Sequence, residues 1–348
     1  MLECSGMLPD RSPVPLVART RGEHVECIHR GWAVLWEDGR EWAAGDASTP
    51  VFTRSCTKAF QALAFLVSGA ADRYGCTAAE LALACASHNG SPEHVALAAR
   101  MLARAGLDGG ALRCGASAPY GEEDHKLFLA RGGAPDALIH NCSGKHAAFL
   151  LTQSYLGGAP ERYLDRQSPL QQLVFECVAD VLELPRAELG AFVDGCSAPT
   201  FRMPLRNLAI GFARLANPEL APARYAPHLA RLRDAMCEYP QFHSGIGRLC
   251  HALIRASGGK VIPKNGAEGV YAFGVRGRRS GFAMKVEDGA SRGHDLAVVS
   301  MARALGAIGA GPQAAELAPF EECTLRNAAG AEIGKQQLLI ALPGAGRP

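Results

Sequence analysis

The sequence predicts an α/β protein in which strands from both chain ends share one layer and the middle of the chain is helical. Three observations lead there. Alternating apolar and polar residues, the pattern of a half-buried strand, run through "HVECIHRGWAVLWEDGREWAAG" near the start. Strand patterns return late, in "GVYAFGVRG" and "GFAMKVEDG". Between them, apolar residues recur at helical spacing over many segments. One α/β layer built from the two termini, with a helical insert, is the simplest arrangement of such a chain. The expected lobes are residues 1–54 with 258–348 (α/β) and residues 55–257 (mostly helical), forming one intertwined unit.

Taken in order, Asp38-Gly39 marks a hairpin between the first strands. Residues 55 to 71 switch to helical spacing. Residues 77 to 88 form a helix with Thr77 as N-cap and Glu80 three places on. Ser91-Pro92-Glu93 opens another, to about residue 107. Further helices are predicted at 143–156, 168–184, 204–216, 226–238 and 244–257. Two strands then flank a turn around Arg278 to Ser280. A helix at 296–309 and a strand at 334–341 end the chain.

Composition bounds the function. The 348 residues are 48% hydrophobic and 20% charged, enough for a sizeable core. The net charge of +2 has both signs scattered, so the concentrated basic face that nucleic acid needs is missing. No stretch approaches a membrane span. The opening "MLECSGMLPDRSPVPLV" brings acidic residues and prolines where an export signal needs a basic start and an apolar run. The expected location is therefore cytoplasmic, and "MLECSG" reads as an extension from an upstream start codon. The 12 cysteines follow no disulfide pattern and read mostly as buried thiols of a reducing compartment.

The chemistry begins at "VFTRSCTKAF", where Ser55 and Lys58 stand three apart at a helix start and so share one face. A serine hydroxyl is a poor nucleophile until a base takes its proton. A neutral Lys58 would be such a base; a capping serine and a snorkelling lysine are the ordinary alternative. "CASHNG" adds Ser87 and Asn89 as an S-x-N, and "VIPKNG" adds Lys264 and Gly266 as a K-x-G. The order S-x-x-K, S-x-N, K-x-G is that of serine β-lactamases and penicillin-binding proteins, with different middle letters. A second couple, Ser87 with Lys264, would bring another amine beside Lys58, and like charges ease the loss of a proton.

"HNCSGKHAAF" gathers His140, Cys142, Lys145 and His146, and "VDGCSAP" adds Asp194 and Cys196. Cysteine and histidine are usual zinc ligands, but no C-x-x-C is present and spacing alone favours ordinary buried thiols. Arg54 is either a surface charge or the holder of a substrate carboxylate. Glu268 either forms a turn or receives a substrate ammonium. Cys56 points about 100° around the helix from Ser55 and is read as packing. Trp32, Trp36 and Trp42 are read as core or interface anchors.

Together, "RSCTKAFQA", "CASHNGSPEH", "NCSGKHAAFL", "DGCSAPTFRMPL" and "KNGAEGVYAFG" resemble the rhizobial-type, or class 3, L-asparaginases, the asparaginase II family. The resemblance runs in the same order from about residue 13 to the C-terminus. It implies a serine β-lactamase-like fold, an antiparallel sheet with flanking helices beside a mostly helical lobe. It implies a homodimer that hydrolyses L-asparagine to L-aspartate and ammonia. It implies catalytic pairs at Ser55–Lys58 and Ser87–Lys264 and zinc on Cys142, Lys145 and Cys196. Arg54, Asp194, His146 and Glu268 are then the expected substrate contacts. Asn265 stands where a threonine or aspartate is more usual. On this resemblance Ser55 attacks and Ser87 with Lys264 relays a proton, attack by Ser87 being the open alternative. A glutaminase, a β-lactamase-like enzyme and an inactive zinc- or ligand-binding member are the rival functions.

Overall fold

Hairpins from the two ends of the chain build the main sheet. The structure is a computed structural model and describes residues 12–343, so the N-terminal extension read in "MLECSG" lies outside the described residues. The strands are β1 (Val14–Arg21), β2 (His24–Glu37), β3 (Arg40–Ala44), β4 (Pro50–Phe52), β5 (Gly190–Val193), β6 (Pro199–Pro204), β7 (Val261–Asn265), β8 (Val270–Val275), β9 (Ser280–Val286), β10 (Thr324–Arg326) and β11 (Glu332–Leu338). Eight of them form one sheet in the order β10-β11-β1-β2-β9-β8-β7, with β3 also on β2, and every pairing is antiparallel. The expected layer from both termini is therefore present. Asp38 and Gly39 both take positive φ (46° and 85°) between the paired Glu37 and Arg40, which is the two-residue hairpin that a twisted strand pair favours.

Period-two alternation gives the sheet two buried faces. Val34, Ala272 and Ala283 face one core, whereas Ala33, Leu35, Tyr271 and Phe273 face the other. The first core holds most helices of the middle segment. Helix Leu205–Ala216 lies close on that face because glycine leaves it room: a Cβ on Gly274 would stand 2.0 Å from the Phe212 carbonyl oxygen. The second core is closed by helices Leu249–Ala256 and Asp295–Ala304.

Four local expectations are corrected. The helix predicted from 244 begins only at Leu249, because Gly245 and Gly247 have φ of 116° and 83°. The helix predicted to 88 ends at Ala84, which leaves Ser87 on the irregular segment that follows. Two strands, β5 and β6, stand within the stretch expected to be mostly helical and form a small antiparallel sheet, β4-β6-β5, with β4 of the first segment. Helix Glu122–Ala130 was not predicted; none of its residues is buried, so it lacks the apolar stripe that marks a helix in sequence. No described helix is long and apolar enough to cross a membrane.

Candidate active site

Three segments meet on the Ser87 hydroxyl. The first is the turn Arg54–Thr57, which feeds the buried helix Lys58–Val67. Arg54 takes φ 48°, a strained value for a residue with a side chain. Gly266 explains how the turn fits: a Cβ there would lie 3.1 Å from the Thr53 oxygen and 3.3 Å from Arg54 Cβ. The glycine of K-x-G thus lets β7 run close beneath the serine turn. Cys56 stitches the two together, its thiol donating to the Lys264 carbonyl at 3.1 Å. Burial pushes that thiol far up, so Cys56 packs, as expected.

The second segment follows helix Ala78–Ala84, which starts with the predicted capping box of Thr77 and Glu80. Beyond it, His88 is sealed and neutral, burial being the main cause. Its Nδ1 accepts from the Gly90 N–H at 3.1 Å, which puts its proton on Nε2, 3.0 Å from Ser143 Oγ. Asn89 donates from Nδ2 to the Ile246 carbonyl at 3.1 Å and ties this segment to the loop before helix Leu249–Ala256. From that loop, Arg248 Nη1 donates to the Ser87 carbonyl at 2.7 Å.

The third segment is the end of β7. Lys264 Nζ lies 2.9 Å from Ser87 Oγ, 2.8 Å from the Asn265 carbonyl and 3.1 Å from Asn265 Oδ1. On the other side, Lys58 Nζ lies 2.9 Å from Ser87 Oγ, 2.5 Å from the Ala86 carbonyl and 3.1 Å from Cys142 Sγ. Both lysines are sealed from solvent, at 0% and 1% exposure. Burial pushes Lys264 down to about 7, helped by the charges of Lys58 and Arg248 and opposed by the Cys250 and Cys56 thiols. Hydrogen counting agrees with a neutral Lys264. Its two N–H groups suit the two Asn265 oxygens, and its lone pair suits the Ser87 O–H.

Ser55 is placed differently. It is half-buried, and among the described residues no hydrogen bond engages its side chain. The structure brings Ser87, Lys58 and Lys264 into contact and leaves Ser55 one helical turn from Lys58 without a bond to it.

A second lysine cluster adjoins the first through Cys142. Lys145 Nζ is 3.2 Å from Cys196 Sγ. The neighbouring Cys142 thiol, with Lys145 and His146, outweighs burial and pulls the Cys196 thiol well below its usual range, while the Cys142 thiol donates to Asn141 Oδ1 at 3.1 Å. Burial pulls the Lys145 amine down, but Cys196, Cys142 and Asp194 outweigh it and hold the charge above the usual lysine range. His146 is fully buried, its Nδ1 2.7 Å from the Tyr163 hydroxyl; burial pushes it down to about 4. Among the described residues its Nε2 is buried with no hydrogen-bond partner.

Among the described residues no three His, Cys, Asp or Glu side chains gather as a metal-binding set. A metal here would need the lysine nitrogen as its third donor. Two sulfurs and that amine fit a thiophilic cation once the protons on Cys142 and Lys145 are gone.

The remaining expected residues form a polar rim. Arg54 Nε donates to Asp194 Oδ1 at 2.7 Å, and its Nη1 is 3.9 Å from Glu268. Glu268 is 67% exposed and takes φ 58°. A cavity of about 440 Å³ opens at the end of β7, lined by Glu268, Asn265, Gly266 and Arg248. Arg248 had no motif to reveal it; its only sequence signal is a basic residue after a glycine-rich loop.

No curated protein matches the chain. The solved structure of Mglu in its native form matches with a TM-score of 0.43 at 15% identity, covering 79% of this chain and 63% of that one. Mglu in its glutamate form matches with a TM-score of 0.37 at 17% identity, covering 80% of this chain and 62% of that one. The present chain thus spans less than two thirds of the length of these two structures. The model of the L-asparaginase II family matches residues 17–338, nearly the whole chain. The chain belongs to the L-asparaginase II family.

Proposed function

We propose that the chain hydrolyses the side-chain amide of L-asparagine to L-aspartate and ammonia through a serine activated by lysine amines. The observation that carries this reading is the pair of buried amines on one serine oxygen, each at 2.9 Å from Ser87 Oγ. Ser55 is the attacking oxygen, being the half-buried hydroxyl that a substrate can reach. Lys58 hands a proton to Ser87 while Ser87 hands its own to Lys264, the amine poised near neutral pH to take it. The Lys58 nitrogen, freed of that proton, turns to Ser55 and takes its proton as Ser55 attacks the amide carbon. Backbone N–H groups at the start of the serine turn stabilise the oxyanion. The proton returns along the same chain to the leaving ammonia, and water then cleaves the acyl-enzyme.

The double contact on Ser87 favours a second reading, in which Ser87 itself attacks with Lys264 as base. Ammonia release from L-asparagine by the wild type, S55A and S87A, with mass analysis of trapped acyl-enzyme, separates the two. An ester on Ser55 in S87A supports the first reading. An ester on Ser87 in S55A replaces it. No ammonia from L-asparagine, with ammonia from L-glutamine, would make the enzyme a glutaminase; one methylene in a pocket is worth only about 1–3 kcal/mol.

Zn²⁺ belongs to the proposal, held by Cys142, Lys145 and Cys196. When bound it supplies a positive charge that orients the substrate and polarises its carbonyl oxygen. Lys58, which touches both Ser87 and Cys142, links that site to the serine chemistry. The homodimer and the serine β-lactamase-like fold rest on the family resemblance; the antiparallel sheet with helices on both faces supports the latter. Sedimentation of the purified enzyme tests the dimer.

A further inference from the structure

Arg54, the arginine that sequence singles out for a substrate carboxylate, already has a carboxylate. Its Nε is committed to Asp194 at 2.7 Å, and Glu268 lies 3.9 Å from its Nη1. Arg248 is the opposite case. Among the described residues no acid lies within ion-pair distance of it, and its one hydrogen bond is to the Ser87 carbonyl at 2.7 Å. Its guanidinium stacks on the Tyr120 ring at 4.6 Å from the centroid. A guanidinium carries five N–H donors in a rigid fork suited to a carboxylate, and one bond leaves most of them free.

Its position is fixed rather than casual. Asn89 grips its loop through the Ile246 carbonyl. Gly245, at φ 116°, leaves no room beside Asn89, since a Cβ there would stand 2.3 Å from Asn89 Cγ. Asn89 also accepts the Tyr120 N–H at 2.7 Å, so one residue sets both the arginine and the ring beneath it. Arg248 lines the 440 Å³ cavity together with Glu268 and Asn265. That cavity therefore offers one cation, the carboxylates of Glu268 and Asp295, and Asn265, whose oxygens hold the Lys264 amine; a cation for a carboxylate and an acid for an ammonium are what an α-amino acid requires. Arg248 also borders a second cavity, of about 660 Å³, but Glu93, Glu122, Glu123 and Asp124 line that one and would repel an anion.

We propose that Arg248 receives the α-carboxylate of the amino-acid substrate and so sets which amides the enzyme accepts. The assignment rests on the amide-hydrolase reading above.

The test compares wild type, R248Q and R248K on L-asparagine and on 3-aminopropanamide, which keeps the amide and the amine but lacks the carboxylate. For L-asparagine, R248Q is expected to raise KM about 30- to 100-fold with little change in kcat, and R248K to fall between it and the wild type. For 3-aminopropanamide, wild type and R248Q are expected to share one KM. Equal losses on both substrates, or a fall confined to kcat, would overturn the proposal and leave Arg248 as a prop for the Ser87 carbonyl. R248K, which keeps the charge, decides the matter if R248Q does not fold. If the wild type hydrolyses no amide, the functional reading fails, and calorimetric titration with L-aspartate decides Arg248 separately. Binding to the wild type that is lost in R248Q sustains the proposal. Binding retained in R248Q, or absent from the wild type, rejects it.

Discussion

Lys264 and Lys145 are both sealed inside the protein, yet their charges go opposite ways. Burial pushes Lys264 down to about 7, because its hydrogen-bond partners are a hydroxyl and amide oxygens and no anion stands beside it strongly enough to offset burial and the Lys58 and Arg248 cations. Lys145 is held above the usual lysine range, because Cys196 stands beside it as a thiolate. Desolvation is the largest influence on each and it acts in the same direction. What surrounds the amine decides the outcome. The two lysines then suit different work: one can take up a proton near neutral pH, whereas the other anchors a negative sulfur. Lys58 touches both neighbourhoods, at Ser87 and at Cys142.

Breaking the Ser87 side of the comparison has the largest expected effect. S55A, S87A and K264M should each lower kcat by about 10³- to 10⁴-fold in steady-state ammonia release. A fall under tenfold in K264M would remove Lys264 from the proton path.

Breaking the thiol side should cost the fold instead. C196A leaves the Lys145 ammonium buried without its counter-charge, a loss of about 3–5 kcal/mol in denaturant titration. K145M with C196A together should recover much of that loss.

K264M should do the reverse and stabilise. The folded Lys264 gives up its proton at about 7, whereas in the unfolded chain it does so near 10.4. Folding therefore opposes protonation. The penalty is fully present below pH ~7, fades as pH rises and is gone above pH ~10.4. Removing the amine should add up to about 4 kcal/mol at pH 7 and nothing at pH 11. A Tm for K264M at or below the wild type at pH 7 would contradict the assigned shift.

The same titration should appear in turnover. With Lys264 as proton acceptor, kcat/KM rises with pH through about 7 and then levels. The groups facing it are Lys58, Arg248, Cys56, Cys250, Cys85 and His243. R248Q should move this limb slightly upward, since one nearby positive charge is gone. The smallest effect is expected from chelation: zinc loss, read by metal content, should raise KM for L-asparagine several-fold and change kcat by less. An unchanged KM with a collapsed kcat would take the metal out of substrate positioning.

Motifs short enough to be one local structure were legible in sequence. Asp38-Gly39, the Thr77–Glu80 capping box and the close glycine at 266 each follow from backbone geometry within a few residues. The sheet from both ends followed from alternation that survives without any knowledge of partners. The motif letters also named Ser87, Lys58 and Lys264. They did not say that Lys58 turns to Ser87 rather than to Ser55, because spacing along a helix places a side chain on a face and leaves its far end free to choose among acceptors.

Sequence by itself determined which groups could react and which strands could pair, since propensity and periodicity are local. Only the tertiary structure decided which amine keeps its charge and which arginine stays free of a carboxylate. Arg248 reaches the Ser87 carbonyl across 161 residues of chain, and Arg54 reaches Asp194 across 140. Charge state and availability depend on burial and on neighbours in space, and those exist only once distant segments have packed.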